Sequence, residues 1–185
     1  MLYVWSFAIT EGLNFNAQTE IIRVAIRLGG DVLTHISKSI EIRTPPEKIW
    51  EMLALDRLSE WEEGYKEDLT KIEYTSEVNT LDDKYKVGFS AQLETKGEGQ
   101  MNLEITGSLE NEKIVYHLVG GKFTKDLRLT FLLDPLEEGT EFTYVVDYEI
   151  SWGILGKFLD KLFIHRKAEK DLRTEMENLK GILEQ

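Results

Sequence analysis

The chain has no cysteine in its 185 residues, which excludes disulfides, thiolate metal sites and cysteine nucleophiles together. That absence suits a reducing cytoplasm, the expected location. Only three histidines occur, His35, His117 and His165, far apart and without the spacing of a ligand set. No metal and no other cofactor is therefore expected. Positive charge is scarce as well: 22 Lys and Arg stand against 34 Asp and Glu, for a formal net charge of −12. A surface that acidic repels phosphate backbones and anionic headgroups, so no nucleic-acid role is expected. No run approaches the roughly 20 apolar residues that span a bilayer, so stable membrane insertion is not expected either. The apolar stretch from Met1 to Ile9 lacks the basic segment of a secretory signal and runs directly into Glu11. No feature points to a particular oligomeric state.

What is present is an ordinary globular composition, 42% hydrophobic and 30% charged, long enough for one domain with a sizeable core. Regularity begins only near residue 34. Residues 1–33 read as an N-terminal extension, weakly ordered, with an apolar patch at Ile21 to Leu28 before Gly29-Gly30-Asp31. Gly-Gly-Asp is what a translated ribosome-binding site of the GGAGGTGAT type would encode, which would make Val32 or Leu33 a start. The competing reading is a real helix over Thr19 to Leu28. Residues 34–185 form a single domain in either case.

Within that domain, His35 to Arg43 alternates, with Ile36, Ile40 and Ile42 on one face, as a half-buried strand does. Thr44-Pro45-Pro46-Glu47 reads as a helix start with a capping box, followed by an apolar side of Ile49, Trp50 and Leu53. Asp56 can cap a second short helix carrying Leu58 and Trp61, with Glu60, Glu62 and Glu63 as a solvated face. Six strand-like runs follow, Leu69 to Val78, Lys84 to Glu94, Gln100 to Leu109, Lys113 to Val119, Asp126 to Leu133 and Glu141 to Ser151. Their separating breaks are too short for crossover helices, so an antiparallel meander results. One face is apolar, through Tyr85, Val87, Phe89, Ala91 and Leu93, then Leu127 to Leu133, then Phe142, Tyr144, Val146, Tyr148 and Ile150. The cover for that face is a long helix from about Gly153 to Glu184, with Ile154, Phe158, Leu162, Leu172, Met176, Leu179 and Leu183 at helical spacing. Seven such side chains represent about 10–20 kcal/mol of burial before entropy.

The order of strand, two short helices, six-stranded meander and long helix resembles the START-like polyketide cyclase/dehydrase and lipid-transport superfamily (SRPBCC). The likeness rests on HISKSIEIRTPPEKIWEML, on LSEWEE with Trp61, and on the closing ILGKFLDKLFIHRKAEKDLRTEMENLKGILE. The resemblance implies an α+β helix-grip fold, a seven-stranded curved antiparallel sheet closed over the C-terminal helix with its first strand beside its last. It also implies a cavity between sheet and helix, which relatives use for lipids, sterols, polyketides, plant hormones or quinones. Candidate lining residues are Trp61, Tyr85, Phe89, Leu103, Tyr116, Phe131, Tyr144, Tyr148, Trp152, Phe158, Leu162 and His165. The plain alternative for these aromatics is a packed core. His165, with Glu169 one turn on, can form a proton-moving pair, sit at the pocket mouth, or lie solvated with Glu169 where the helix overhangs the sheet. His117 and Asp147 fall on the outward parity. No nucleophile or paired acid and base stands out on the apolar face. The expected partner is thus a hydrophobic small molecule such as a lipid, polyketide or quinone, bound without chemistry. A cyclase/dehydrase-type enzyme and a protein-interaction module with a closed core are the alternatives.

Overall fold

The structure is a computed structural model that describes residues 25–26, 32–122, 124–150 and 165–185. A two-residue strand, β1 (Ala25–Ile26), precedes β2 (Val32–Ile42), α1 (Pro46–Met52), a 3-10 turn (Leu58–Glu60) and α2 (Glu63–Asp68). Then come β3 (Leu69–Tyr74), a second 3-10 turn (Leu81–Tyr85), β4 (Ser90–Thr95), β5 (Gly99–Leu109), β6 (Lys113–Val119), β7 (Thr124–Leu136) and β8 (Gly139–Ile150). The helix α3 (His165–Leu183) closes the chain. The sheet order is β1-β2-β8-β7-β6-β5-β4-β3, with every pairing antiparallel. The expected helix-grip architecture is present, seven full strands and a closing helix, with the two-residue β1 added at one edge. Of the extension, Ala25–Ile26 pairs with Leu33 and Val32; the rest of residues 1–31 lies outside the described residues.

Pairing of β2 with β8, from Leu33 opposite Glu149 to Ile42 opposite Thr140, brings the first full strand against the last. Gly139 makes the corner possible: its φ is 122°, and a Cβ there would lie 2.2 Å from the carbonyl oxygen of Ile42. Irregular register at Leu69/Lys71, Ile105/Gly107 and Thr124/Asp126 marks bulges, the usual source of sheet curvature. Alternation is as expected along β8, where Phe142, Tyr144, Val146 and Tyr148 are buried.

Four local expectations are corrected. Thr44 does not cap α1, whose N-cap is Pro45; its hydroxyl instead donates to the carbonyl of Leu183 at 3.2 Å. Asp56 pairs with Lys84 at 2.6 Å rather than capping a helix. The strand expected over Lys84 to Glu94 starts at Ser90, because residues 81–85 form a 3-10 turn held by a capping box from Thr80 to Asp83. Val87 is accordingly 61% exposed. The β3 strand ends at Tyr74 instead of Val78.

The α3 helix presses Ala168, Leu172, Met176 and Leu179 into the core. Its last turn is tied to the end of β2, where Lys180 donates to the Glu41 carbonyl and the Arg43 amide donates to Glu184. Residues 151–164, the first part of the expected long helix, lie outside the described residues.

Candidate functional site

The sheet's inner face has two kinds of surface. Near the β7–β8 hairpin, Trp61 stands edge-on to Phe131, Phe142 and Tyr144 with ring centroids 5.9, 6.1 and 6.2 Å apart. Phe131 and Tyr144 are 4.4 Å apart, and Tyr116 meets Phe131 at 6.2 Å. Such rings pack in the offset and edge-to-face geometries favoured by their quadrupoles. The polar atoms in this cluster are satisfied: Trp61 Nε1 donates to the Met52 carbonyl at 2.9 Å, and Tyr116 Oη to the Leu53 carbonyl at 2.7 Å. The second surface is a cross-strand row of Tyr148, Leu127, Leu118, Leu103 and Ala91, with Tyr74 at its end. Except for Tyr74, all of these are buried.

The predicted lining residues are thus divided. Trp61, Tyr116, Phe131 and Tyr144 belong to the aromatic cluster, whereas Leu103 and Tyr148 belong to the aliphatic row. Phe89 is buried against Tyr74, centroids 5.6 Å apart. Tyr85 is set apart from them: it stacks on Trp50 at 5.1 Å and donates to the Glu51 carbonyl at 3.2 Å. Trp152, Phe158 and Leu162 lie outside the described residues, as does the side chain of His165. Glu169, its expected partner, pairs with Lys38 of β2 at 3.2 Å. On the outer face, His117 meets Asp126 at 2.8 Å and His35 meets Asp147 at 2.6 Å.

The largest departure concerns Glu62. Instead of sharing a solvated face with Glu60 and Glu63, it is 2% exposed and accepts a hydrogen bond from Tyr144 Oη at 2.6 Å. Burial, together with the nearby Glu175 carboxyl, pushes its pKa up to about 8, so it carries a proton at neutral pH. Glu175, also 2% exposed, is raised by its own burial. The Tyr144 phenol is held well above its usual range by burial, with Glu62 and Glu175 adding to the effect. This trio joins the residue before α2, β8 and α3. Sequence spacing carried a signal for both acids. Leu58, Trp61, Glu62 and Tyr65 follow i, i+3, i+4, i+7, and Glu175 lies within the stripe of Leu172, Met176 and Leu179.

Two grooves flank α2. One, of about 710 Å³, includes Ser59, Lys66, Lys96 and Asn178 in its walls; the other, of about 500 Å³, includes Gly64, Lys167, Asp171 and Glu175. Among the described residues no strand residue lines either, and the wall residues are mostly of charged or polar type. Among the described residues no group of acids and histidines could hold a metal ion, and no helix is long and apolar enough to cross a membrane.

A family model described as polyketide cyclase / dehydrase and lipid transport matches residues 34–184. Among solved structures, a START superfamily protein from Mycobacterium smegmatis aligns with a TM-score of 0.57 at 17% identity, over 81% of this chain and 97% of that one. A Thermus thermophilus protein gives 0.56 at 14% identity, over 80% and 94% of the two chains. A Chromobacterium violaceum protein gives 0.53 at 15% identity, over 82% and 97%. At these identities the likeness is one of fold. None of the curated proteins matches the chain.

Proposed function

The chain belongs to the polyketide cyclase/dehydrase and lipid-transport family, and we propose that it binds a hydrophobic small molecule between the sheet and the C-terminal helix without chemical change. The observation that carries this reading is the row of Tyr148, Leu127, Leu118, Leu103 and Ala91, an apolar inner surface five strands wide. Such a surface suits the bulk of a lipid, polyketide or quinone-like molecule, since apolar walls with a few placed polar groups are what small-molecule sites use. The cluster around Trp61 forms the wall at the other end. Its polar atoms are committed to protein partners, which supports binding over catalysis there. Native mass spectrometry of the full chain is expected to reveal a co-purified lipophile. A chain that stays empty and shows no thermal shift across a panel of lipids and quinones would remove the proposal.

A second reading, cyclase/dehydrase-type chemistry, is favoured by one observation. Glu62 keeps its proton at neutral pH beside the Tyr144 hydroxyl, and a buried neutral acid can donate a hydrogen bond to a developing oxyanion. Turnover of a polyketide-type substrate that is lost in Glu62→Gln would select this reading. A closed interaction module would instead show neither ligand nor turnover.

A further inference from the structure

The segment between β3 and β4 is built the wrong way round for water. Ser76 and Ser90 hold its ends together, Oγ to Oγ at 2.9 Å, and Ser76 also reaches the Gly88 carbonyl at 3.5 Å. Residues 77–87 thus form a compact loop with joined ends. At its centre sits a charge. The Asp83 carboxylate, its side chain only 16% exposed, accepts from the Asn79 and Thr80 amides at 2.9 and 2.7 Å and pairs with Lys86 at 2.5 Å. The Lys84 ammonium is committed as well, to Asp56 at 2.6 Å. Apolar side chains are left outside. Leu81 and Val87 are the two most exposed large apolar side chains among the described residues, at 75% and 61%, and Val78 is exposed beside them in sequence. Leu81 follows Thr80 and Val87 follows Lys86, so both are carried by residues that bond the same carboxylate. The base of the loop is fixed, because Tyr85 stacks on Trp50 and donates to the Glu51 carbonyl. In water the reverse arrangement is the favourable one, and apolar side chains presented together on a fixed surface mark contact with another body.

We propose that this loop docks on the surface of a zwitterionic, phosphatidylcholine-type bilayer, with Leu81 and Val87 entering the boundary between headgroups and acyl chains. Charge selects the partner. Glu77 and Asp82 are exposed on the loop and form no ion pair among the described residues, whereas both lysines of the loop are paired. Those carboxylates meet the outward ammonium groups of zwitterionic lipid favourably. The net charge of −12 opposes anionic lipid and a second copy of the chain alike. Tyr74, exposed where the loop leaves β3, is a residue type that settles at bilayer interfaces. The loop is far too short to span, so the attachment is peripheral. Docking of this kind goes beyond the hydrophobic-ligand reading and does not depend on it. Together the two place a lipophile-binding domain at the phase in which lipophiles dissolve.

The test uses the full chain as purified, with vesicles of phosphatidylcholine and of phosphatidylserine, read by flotation. Wild type is expected to float with phosphatidylcholine and more weakly with phosphatidylserine. Leu81→Ser combined with Val87→Ser should weaken partition to phosphatidylcholine about ten- to a hundredfold, the scale for two apolar side chains withdrawn from an apolar phase. Thermal unfolding should be unchanged, since both side chains are exposed. Should the double variant melt lower, single labelled positions decide, and the absence of native cysteine makes them clean. Val87→Cys carrying an environment-sensitive fluorophore should shift to the blue on phosphatidylcholine, whereas Leu136→Cys, 45% exposed in the β7–β8 hairpin, should not. Absence of wild-type flotation would overturn the proposal, as would equal flotation of a stably folded double variant, tighter binding to phosphatidylserine, or an equal blue shift at Leu136. Self-association of wild type that the double variant abolishes would also overturn it, by assigning the loop to a second copy. Ligand occupancy is read separately by mass spectrometry, so failure of docking leaves the hydrophobic-ligand reading standing, and the reverse.

Discussion

The two ends of the inner sheet face differ in what completes them. Around Trp61, aromatic side chains of the strands fill the space themselves, with their polar atoms bonded inside the protein and a protonated Glu62 beneath Tyr144. Along the row from Tyr148 to Ala91 the sheet offers mainly aliphatic side chains, which need a cover from outside the sheet. One end is filled by aromatic rings of the sheet itself, whereas the other is a buried aliphatic face that side chains of the sheet do not fill with rings. On the proposed reading, stability comes mainly from the aromatic end and ligand binding from the aliphatic one.

The largest effect expected is at the aromatic end. Trp61→Ala should cost about 3–5 kcal/mol in urea or thermal unfolding, since it removes a side chain with three aromatic neighbours and a buried hydrogen bond. Leu103→Ala, in the aliphatic row, should fall at the low end of its range, about 2 kcal/mol. In the proposed reading Leu103 faces space kept for the ligand, so truncation there adds little new cavity. Equal losses at the two positions would break the comparison, because they would show both ends to be packed alike.

Glu62 sharpens it through pH. With a pKa of about 8 in the folded chain against an ordinary value near 4.5, the folded state binds more proton between those values. Its contribution is favourable below pH 4.5, declines as pH rises through the window and levels off above 8. The slope from this group is at most about 1.4 kcal/mol per pH unit. Glu62→Gln keeps an acceptor for Tyr144 and should flatten that slope in unfolding curves taken from pH 5 to 8. A variant with the wild-type slope would mean that Glu62 is ionised in the folded state.

How much of this was legible in the sequence follows from which forces decide each feature. Strand parity and antiparallel order were readable because one buried face imposes a period of two, as in Phe142, Tyr144, Val146 and Tyr148. Trp61 and the apolar positions of α3 from Leu172 onward were readable from the 3.6-residue period that a buried helical face imposes. The segment from Lys84 to Phe89 was misread as strand, since a capping box between Thr80 and Asp83 sets a 3-10 turn over 81–85 and the ladder begins only at Ser90. Glu62 was misread because charged residues are so seldom buried that its helical phase was outweighed. That the buried Tyr65 hydroxyl has no hydrogen-bond partner among the described residues depends on what fails to reach it, which no sequence pattern encodes.

The smallest expected effect separates two acids of one helix. Glu175 is fully buried, while Glu169, lying nearer the N-terminal end of α3, is about a third exposed where it meets Lys38. Lys38 shares the inward parity of Ile36 and Ile40, so the sheet presents a cation to the helix at this place. Water can replace a half-exposed partner, and such pairs contribute about 0–1 kcal/mol. Lys38→Met should therefore change unfolding free energy by less than about 1 kcal/mol, with the long aliphatic stem retained. A loss of several kcal/mol would show that Glu169 is held as tightly as Glu175, and that the helix seals the sheet along its whole described length. A small loss, combined with faster release of a bound lipophile, would instead identify the Lys38–Glu169 contact as the weaker of the two attachments and place the route of ligand exchange beside it.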